Sequence, residues 1–163
     1  SGLKHGGKGL FVSIHVNYSI FNRQSSGIET FYYSPKPYSE KEKKILKYRL
    51  RNISRVYYNG KLQGNNLQIA SRMLELKLGR MSRVLAKKIQ NSILTNVGRR
   101  VQDRGIKQDR FFVLAHTVMP SVLLELGFLS NKVETKRLMS REYQKLLAKG
   151  IAKGIIQYIK NSR

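Results

Sequence analysis

Two short runs of this chain place ionisable groups where burial would make them reactive. Phe11-Val12-Ser13-Ile14-His15-Val16-Asn17 and Met119-Pro120-Ser121-Val122-Leu123-Leu124-Glu125-Leu126-Gly127-Phe128-Leu129-Ser130-Asn131 are apolar enough to be buried strands, yet each carries a titratable group near its end. A neutral imidazole is a metal ligand, and a carboxylate in apolar surroundings has its pKa raised toward the working range of a general base. The pair His15 and Glu125 points to metal-assisted hydrolysis. Against it stand a hydrogen-bonded structural role for His15 and a solvent-facing role for Glu125, which shares a strand face with Ser121, Leu123 and Gly127. Glu29 opens a further strand facing an unknown side and reads first as an ordinary surface carboxylate. His116, in the run before Pro120, and His5, in the leader Lys4-His5-Gly6-Gly7, add little.

Other chemistries are set aside. Cysteine is absent, so disulfides, thiolate metal sites and a cysteine nucleophile are excluded, and any metal must use His, Asp or Glu. There is no Gly-x-Ser-x-Gly elbow, Walker loop, dinucleotide fingerprint or His-Glu-x-x-His helix. The leader glycines Gly6, Gly7 and Gly9 precede a strand rather than follow one, a poor arrangement for a phosphate loop. The 163 residues, 40% hydrophobic, suit one packed domain. No apolar run approaches the roughly 20 residues that span a bilayer. With 32 Lys and Arg against 9 Asp and Glu, the formal charge of +23 attracts polyanions without choosing among nucleic acid, anionic lipid and acidic wall polymer. Basic residues spread over every segment also describe ordinary solvated faces. No nucleic-acid module has a readable signature.

The elements that must position these groups follow from periodicity. Residues 11–16 form a strand with Phe11, Ser13, His15 and Asn17 on one face and Val12, Ile14 and Val16 on the other. Ile28 to Ser34 makes a second strand, ended by Pro35 and Pro37. Ser39-Glu40-Lys41-Glu42 is a capping box that starts a helix over about Glu40 to Asn52. Asn59-Gly60 and Gly64-Asn65 mark loops. Leu67 to Val97 is helical with an expected break at Gly79, Ser82 capping the second part and Gly98 ending it. Arg99 to Arg110 reads as a polar connection, Phe111 to Thr117 as a strand and Ser121 to Gly127 as another. Asn131 starts a further helix, and Glu142 to Lys160 forms a long final one. The fold class is α/β, a mostly parallel or mixed central sheet flanked by helices, with ligands gathered at the strands' carboxyl edge where His15 and Glu125 fall.

Taken together the motifs resemble those of the zinc-dependent N-acetylmuramoyl-L-alanine amidases, the amidase 3 type of cell-wall hydrolase. Members carry Phe-Ile-Ser-Ile-His-Ala-Asn, matched by Phe11 to Asn17, and Gly-Ile-Glu-Thr-Phe-Tyr, matched by Gly27 to Tyr32. A serine-led helix follows, matched by Ser82, Leu85, Ala86, Ile89 and Gln90. Then come an Arg-Gly-Val-Lys-like loop, Arg104 to Lys107, and the run from Val113 to Asn131. The match is ordered and spans residues 10 to about 158.

The resemblance implies a zinc ligand at His15, a catalytic carboxylate at Glu125 and supporting, substrate-binding places for Asn17 and Glu29. It implies a phosphorylase/hydrolase-like fold and a peptidoglycan hydrolase that cleaves the amide between N-acetylmuramic acid and L-alanine. The expected setting is an exported bacterial protein, periplasmic or cell-wall associated, used in wall degradation or cell division, with anionic wall polymers as further partners. One departure stands out. The family's first strand ends in Gly-His-Gly-Gly, whose histidine binds zinc, and a later glutamate is a third ligand. His5-Gly6-Gly7 imitates the motif but lies too close to His15 for the intervening family elements. The expectation is a flexible leader, residues 1–9, followed by residues 10–163 as the C-terminal two-thirds or so of a catalytic domain, with one recognisable ligand and weak zinc binding. A non-catalytic wall-binding module of the same fold is the alternative. A basic nucleic-acid-binding domain is a third reading, supported by charge alone.

The helix after Ser39 presents Lys41, Lys44, Lys47 and Arg51. Retention on anionic wall material should weaken appreciably as salt is raised to physiological strength, read by pulldown with peptidoglycan. Retention indifferent to salt would make the charge a compositional background.

Overall fold

Alternation along the first strand carries over into a sheet with two differently covered faces. The structure, a computed structural model, describes residues 9–33, 40–59, 61, 63–98 and 101–161. His5 and the leader through residue 8 lie outside the described residues. The strands are β1 (Phe11–Asn17), β2 (Ile28–Tyr33), β3 (Asp103–Asp109) and β4 (Ser121–Phe128), in the order β1-β4-β2-β3. β1 pairs with β4 in parallel and β2 with β3 in parallel, while β2 and β4 run antiparallel, so the sheet is mixed. β4 is buried along its whole length, flanked by a strand on each side.

The helices are α1 (Glu40–Ile53), α2 (Gly64–Val97), α3 (Phe112–Ala115), α4 (Lys132–Met139) and α5 (Arg141–Asn161), with a π-helical turn at Ser54–Tyr58. On one sheet face Ile28, Tyr32, Val122, Leu124 and Leu126 meet Leu85, Ile89 and Ile93 of α2 and Leu147, Ile151 and Tyr158 of α5. Each such aliphatic side chain contributes roughly 1.5–3 kcal/mol by leaving water. On the opposite face a smaller cluster of Tyr33, Leu114, Ala115 and Leu123, with Phe11, Phe31 and Phe111 against it, covers one end. Phe11 and Val12 therefore belong to different faces, as the alternation requires.

Five expectations are corrected. α2 runs unbroken through Gly79, because Ser71, Glu75, Leu78, Ser82, Leu85 and Ile89 keep one buried stripe continuous across it. That burial outweighs the ~1 kcal/mol a helical glycine costs. Gly64 and Asn65 lie in the first turn of α2 rather than in a loop, and Ser82 is no cap. Its hydroxyl donates to the Leu78 carbonyl at 2.8 Å and accepts the Ser121 N–H at 2.9 Å, tying α2 to the start of β4.

The supposed polar connection contains β3, an edge strand whose charged side chains are what an edge tolerates. The supposed strand Phe111 to Thr117 is instead the short helix α3, which sets Leu114 and Ala115 down on Tyr33 and Leu123. Gly98 does end α2, at φ 84 with its N–H on the Leu94 carbonyl, and Asn131 does cap α4.

α2 and α5 touch through glycine. A Cβ on Gly150 would lie 2.7 Å from Ile93 Cα, and one on Gly154 would lie 2.6 Å from Ile89 Cα. Gly154→Ala must push the two helices apart and should lower stability by about 1–3 kcal/mol in a denaturant melt. An unchanged midpoint would show that the seam can open without cost.

Candidate functional site

Register places the site on the sheet face opposite α2 and α5. His15 on β1 is the partner of Glu125 on β4, and Glu125 is in turn the partner of Glu29 on β2. Paired residues on neighbouring strands lie about 5 Å apart, so the three titratable groups form a row across three strands. Asn17 joins them through Nδ2, which donates to Glu29 Oε1 at 3.1 Å. All four residues singled out from the sequence thus meet. His15 is exposed, whereas Glu29 and Glu125 are only 3% and 7% exposed.

The two carboxylates have opposite electrostatics. Burial alone pushes Glu29 upward, but hydrogen bonds and charge from Lys107 and Arg104 together outweigh it and hold the group below the ordinary glutamate range. Arg104 Nε donates to Oε2 at 3.0 Å, and the Lys107 ammonium shares the same oxygen. Burial dominates at Glu125 and raises its pKa; His15 opposes the rise and the Glu29 charge adds to it. Glu125 Oε2 has no hydrogen-bond partner among the described residues. Two carboxylates pushed apart in this way divide the labour between a permanent anion and a proton acceptor.

A third carboxylate holds the first two in place. Glu134, 5% exposed on α4, accepts the Gly27 N–H at 2.9 Å through Oε1 and the Phe128 N–H at 2.8 Å through Oε2. It therefore clamps the backbone two residues before Glu29 and three residues after Glu125. Gly127 makes room: its φ is +146 and a Cβ there would sit 3.2 Å from Glu134 Oε2. On the far side of β2, Gln90 accepts the Thr30 hydroxyl at 2.7 Å and donates to the Ile28 carbonyl and Asp103.

Arg104, Lys107 and Glu134 are site residues that the sequence reading did not assign. Alternation of Ile106 with Lys107 in Arg104 to Lys107 was the available signal, since Ile106 packs on the α2 and α5 side while Lys107 turns to Glu29. Tyr18, Arg23, Leu129 and Asn131 also line a cleft of 580 Å³ beside Asn17. His116 takes no part: it sits against Phe112 and Tyr48, at the end of α3 rather than in a strand.

As a zinc site the donor set falls short. Among the described residues no group of three or more His, Asp or Glu could hold a metal ion. His15 is the one imidazole here, and both Glu29 oxygens already serve Asn17, Arg104 and Lys107. The described residues do not by themselves make a three-ligand zinc centre.

Comparison with known proteins gives a consistent picture. The family described as N-acetylmuramoyl-L-alanine amidase matches residues 3–157. A Bacillus anthracis protein described as an uncharacterized cell wall amidase is 36% identical over 91% of this chain, and Bacillus subtilis YqiI is 32% identical over 91%. The chain spans 21% and 50% of those two proteins' lengths. An N-acetylmuramoyl-L-alanine amidase of Clostridium difficile 630 superposes with a TM-score of 0.62 at 26% identity, covering 98% of this chain and 66% of that one. AmiC2 of Nostoc punctiforme superposes with a TM-score of 0.61 at 27% identity, covering 93% and 58%. Among the described residues no helix is long and apolar enough to cross a membrane.

The raised pKa of Glu125 carries a cost in stability. The folded form binds that proton more tightly than the unfolded chain, so its stabilisation is full below the ordinary glutamate range and is lost as pH rises through the raised value. Glu125→Gln should therefore melt at or above the parent near neutrality, the gap closing in acid. A glutamine variant clearly less stable at neutral pH would mean that burial does not penalise the charge.

Proposed function

The chain belongs to the N-acetylmuramoyl-L-alanine amidase family, and from that premise we propose that it hydrolyses the amide between N-acetylmuramic acid and the L-alanine of the peptidoglycan stem peptide. Glu125 carries the reading: a buried carboxylate with a raised pKa and one oxygen without a partner, set between His15 and the fixed anion Glu29. In that place Glu125 takes the proton of a water attacking the amide carbonyl and passes it to the departing alanine nitrogen. Glu29, kept ionised by Arg104 and Lys107, cannot compete for that proton, and it orients Asn17 toward the same face.

Zinc is the cofactor we propose for the family chemistry, where a bound ion polarises a carbonyl and acidifies water. His15 would supply one ligand. The described residues do not complete the centre. The same reading assigns the protein to the exported side of a bacterial cell, in contact with the wall, where its +23 charge would favour anionic polymers.

Digestion of purified peptidoglycan, followed by release of free alanine amino termini, tests the assignment. Glu125→Gln should fold normally and lose roughly a hundredfold or more of the rate. The parent's activity should fall on its acid side at a pH above the ordinary glutamate range, because the working base must first lose a tightly held proton. Full activity in Glu125→Gln would remove the carboxylate from the mechanism. Wall binding without any cleavage by the parent would favour a non-catalytic binding module instead.

A further inference from the structure

Arg104, Lys107 and Glu29 are more than a structural ion pair needs. Both cations converge on a single oxygen, Glu29 Oε2, while Asn17 occupies Oε1. One positive charge among the three is therefore uncompensated. The carboxylate is sealed, with 4% of its side chain exposed, whereas the Lys107 side chain is 42% exposed and that of Arg104 29%. Glu29 thus acts as an internal anchor that holds two cations at the surface with donors to spare. An ammonium has three donors and a guanidinium five. Glu29 takes one from each, and Arg104 makes one further long contact to the Ser26 carbonyl at 3.4 Å. The stems are held as well: the guanidinium lies 5.0 Å from the Phe128 ring centroid and the ammonium 5.9 Å from that of Phe31. Preformed, aromatic-backed cations of this kind are suited to an anion.

Their distance from Glu125 says which anion. Lys107 is the register partner of Phe31, and Phe31 faces Leu123, two residues along β4 from Glu125. The β3 backbone is two strand spacings from β4, roughly 9–10 Å, and the Lys107 ammonium reaches back from there to Glu29, the partner of Glu125 one spacing away. In a peptidoglycan stem the residue after L-alanine is D-glutamate joined through its side-chain carboxyl, which leaves its α-carboxylate free. From the cleaved carbonyl that carboxylate lies about one Cα-to-Cα step of 3.8 Å plus the flanking bonds away, roughly 7–8 Å. That span falls between one and two strand spacings, the stretch that the Lys107 side chain covers between β3 and Glu29.

We propose that Arg104 and Lys107, anchored by Glu29, form a subsite for the free α-carboxylate of the stem peptide's second residue, so that the protein prefers the free acid to its amide. This rests on the amidase reading of the same site. The probes are muramoyl-L-alanyl-D-glutamate and its D-isoglutamine counterpart, which differ in that one carboxylate. Affinities are measured by calorimetry on the full chain carrying Glu125→Gln, so that turnover does not interfere. The acid should bind about tenfold more tightly than the amide, as a charge-assisted contact allows. Adding Lys107→Gln should remove the preference and Lys107→Arg should keep it. Equal affinity for the two probes overturns the subsite without any change at it, so the comparison stands even where Lys107→Gln does not fold. A preference that survives Lys107→Gln in a folded protein overturns it too. Failure of the amidase reading appears separately, as intact peptidoglycan after treatment with the unmodified protein.

Discussion

Glu29 and Glu125 face each other across antiparallel strands, both nearly sealed from water, and two adjacent buried negative charges cannot persist unless one is compensated. The described residues compensate them unequally. Glu29 receives two cations and an amide, while Glu125 keeps an oxygen without a hydrogen-bond partner among the described residues and retains its proton more tightly. The asymmetry makes one carboxylate a fixed charge and the other a titrating one. Neither property belongs to glutamate as a residue type; each follows from what the neighbouring strand presents.

The scaffold serves that asymmetry by holding β2 and β4 in register. Glu134 bonds the backbone beside each carboxylate, Gln90 bonds β2 and β3 from beneath, and Ser82 bonds the first residue of β4. These polar ties can be buried because each is satisfied, and they are directional where apolar packing is not. Close glycine contact between α2 and α5 gathers both helices on one sheet face, opposite the row of His15, Glu125 and Glu29.

Sequence alone determined a good deal. Alternation over Phe11 to Asn17 put His15 and Asn17 on one side, because a strand's period of two is a local property. The apolar run around Glu125 marked a carboxylate in a buried strand, and Asn131 and Gly98 marked helix ends, since caps are read from adjacent residues. Local signals failed where pairing decided. β3 is too polar to read as a strand and exists because β2 offers it a ladder, and α3 is apolar enough to read as a strand but packs as a short helix against Tyr33 and Leu123. The helix break expected at Gly79 disappeared because a buried stripe extends across it. Which charges neutralise Glu29, which carboxylate holds its proton more tightly and what Glu134 clamps were decided only by tertiary structure. Arg104 and Lys107 lie 75 and 78 residues from Glu29 along the chain, and electrostatic partnership depends on distance in space, which no local pattern encodes.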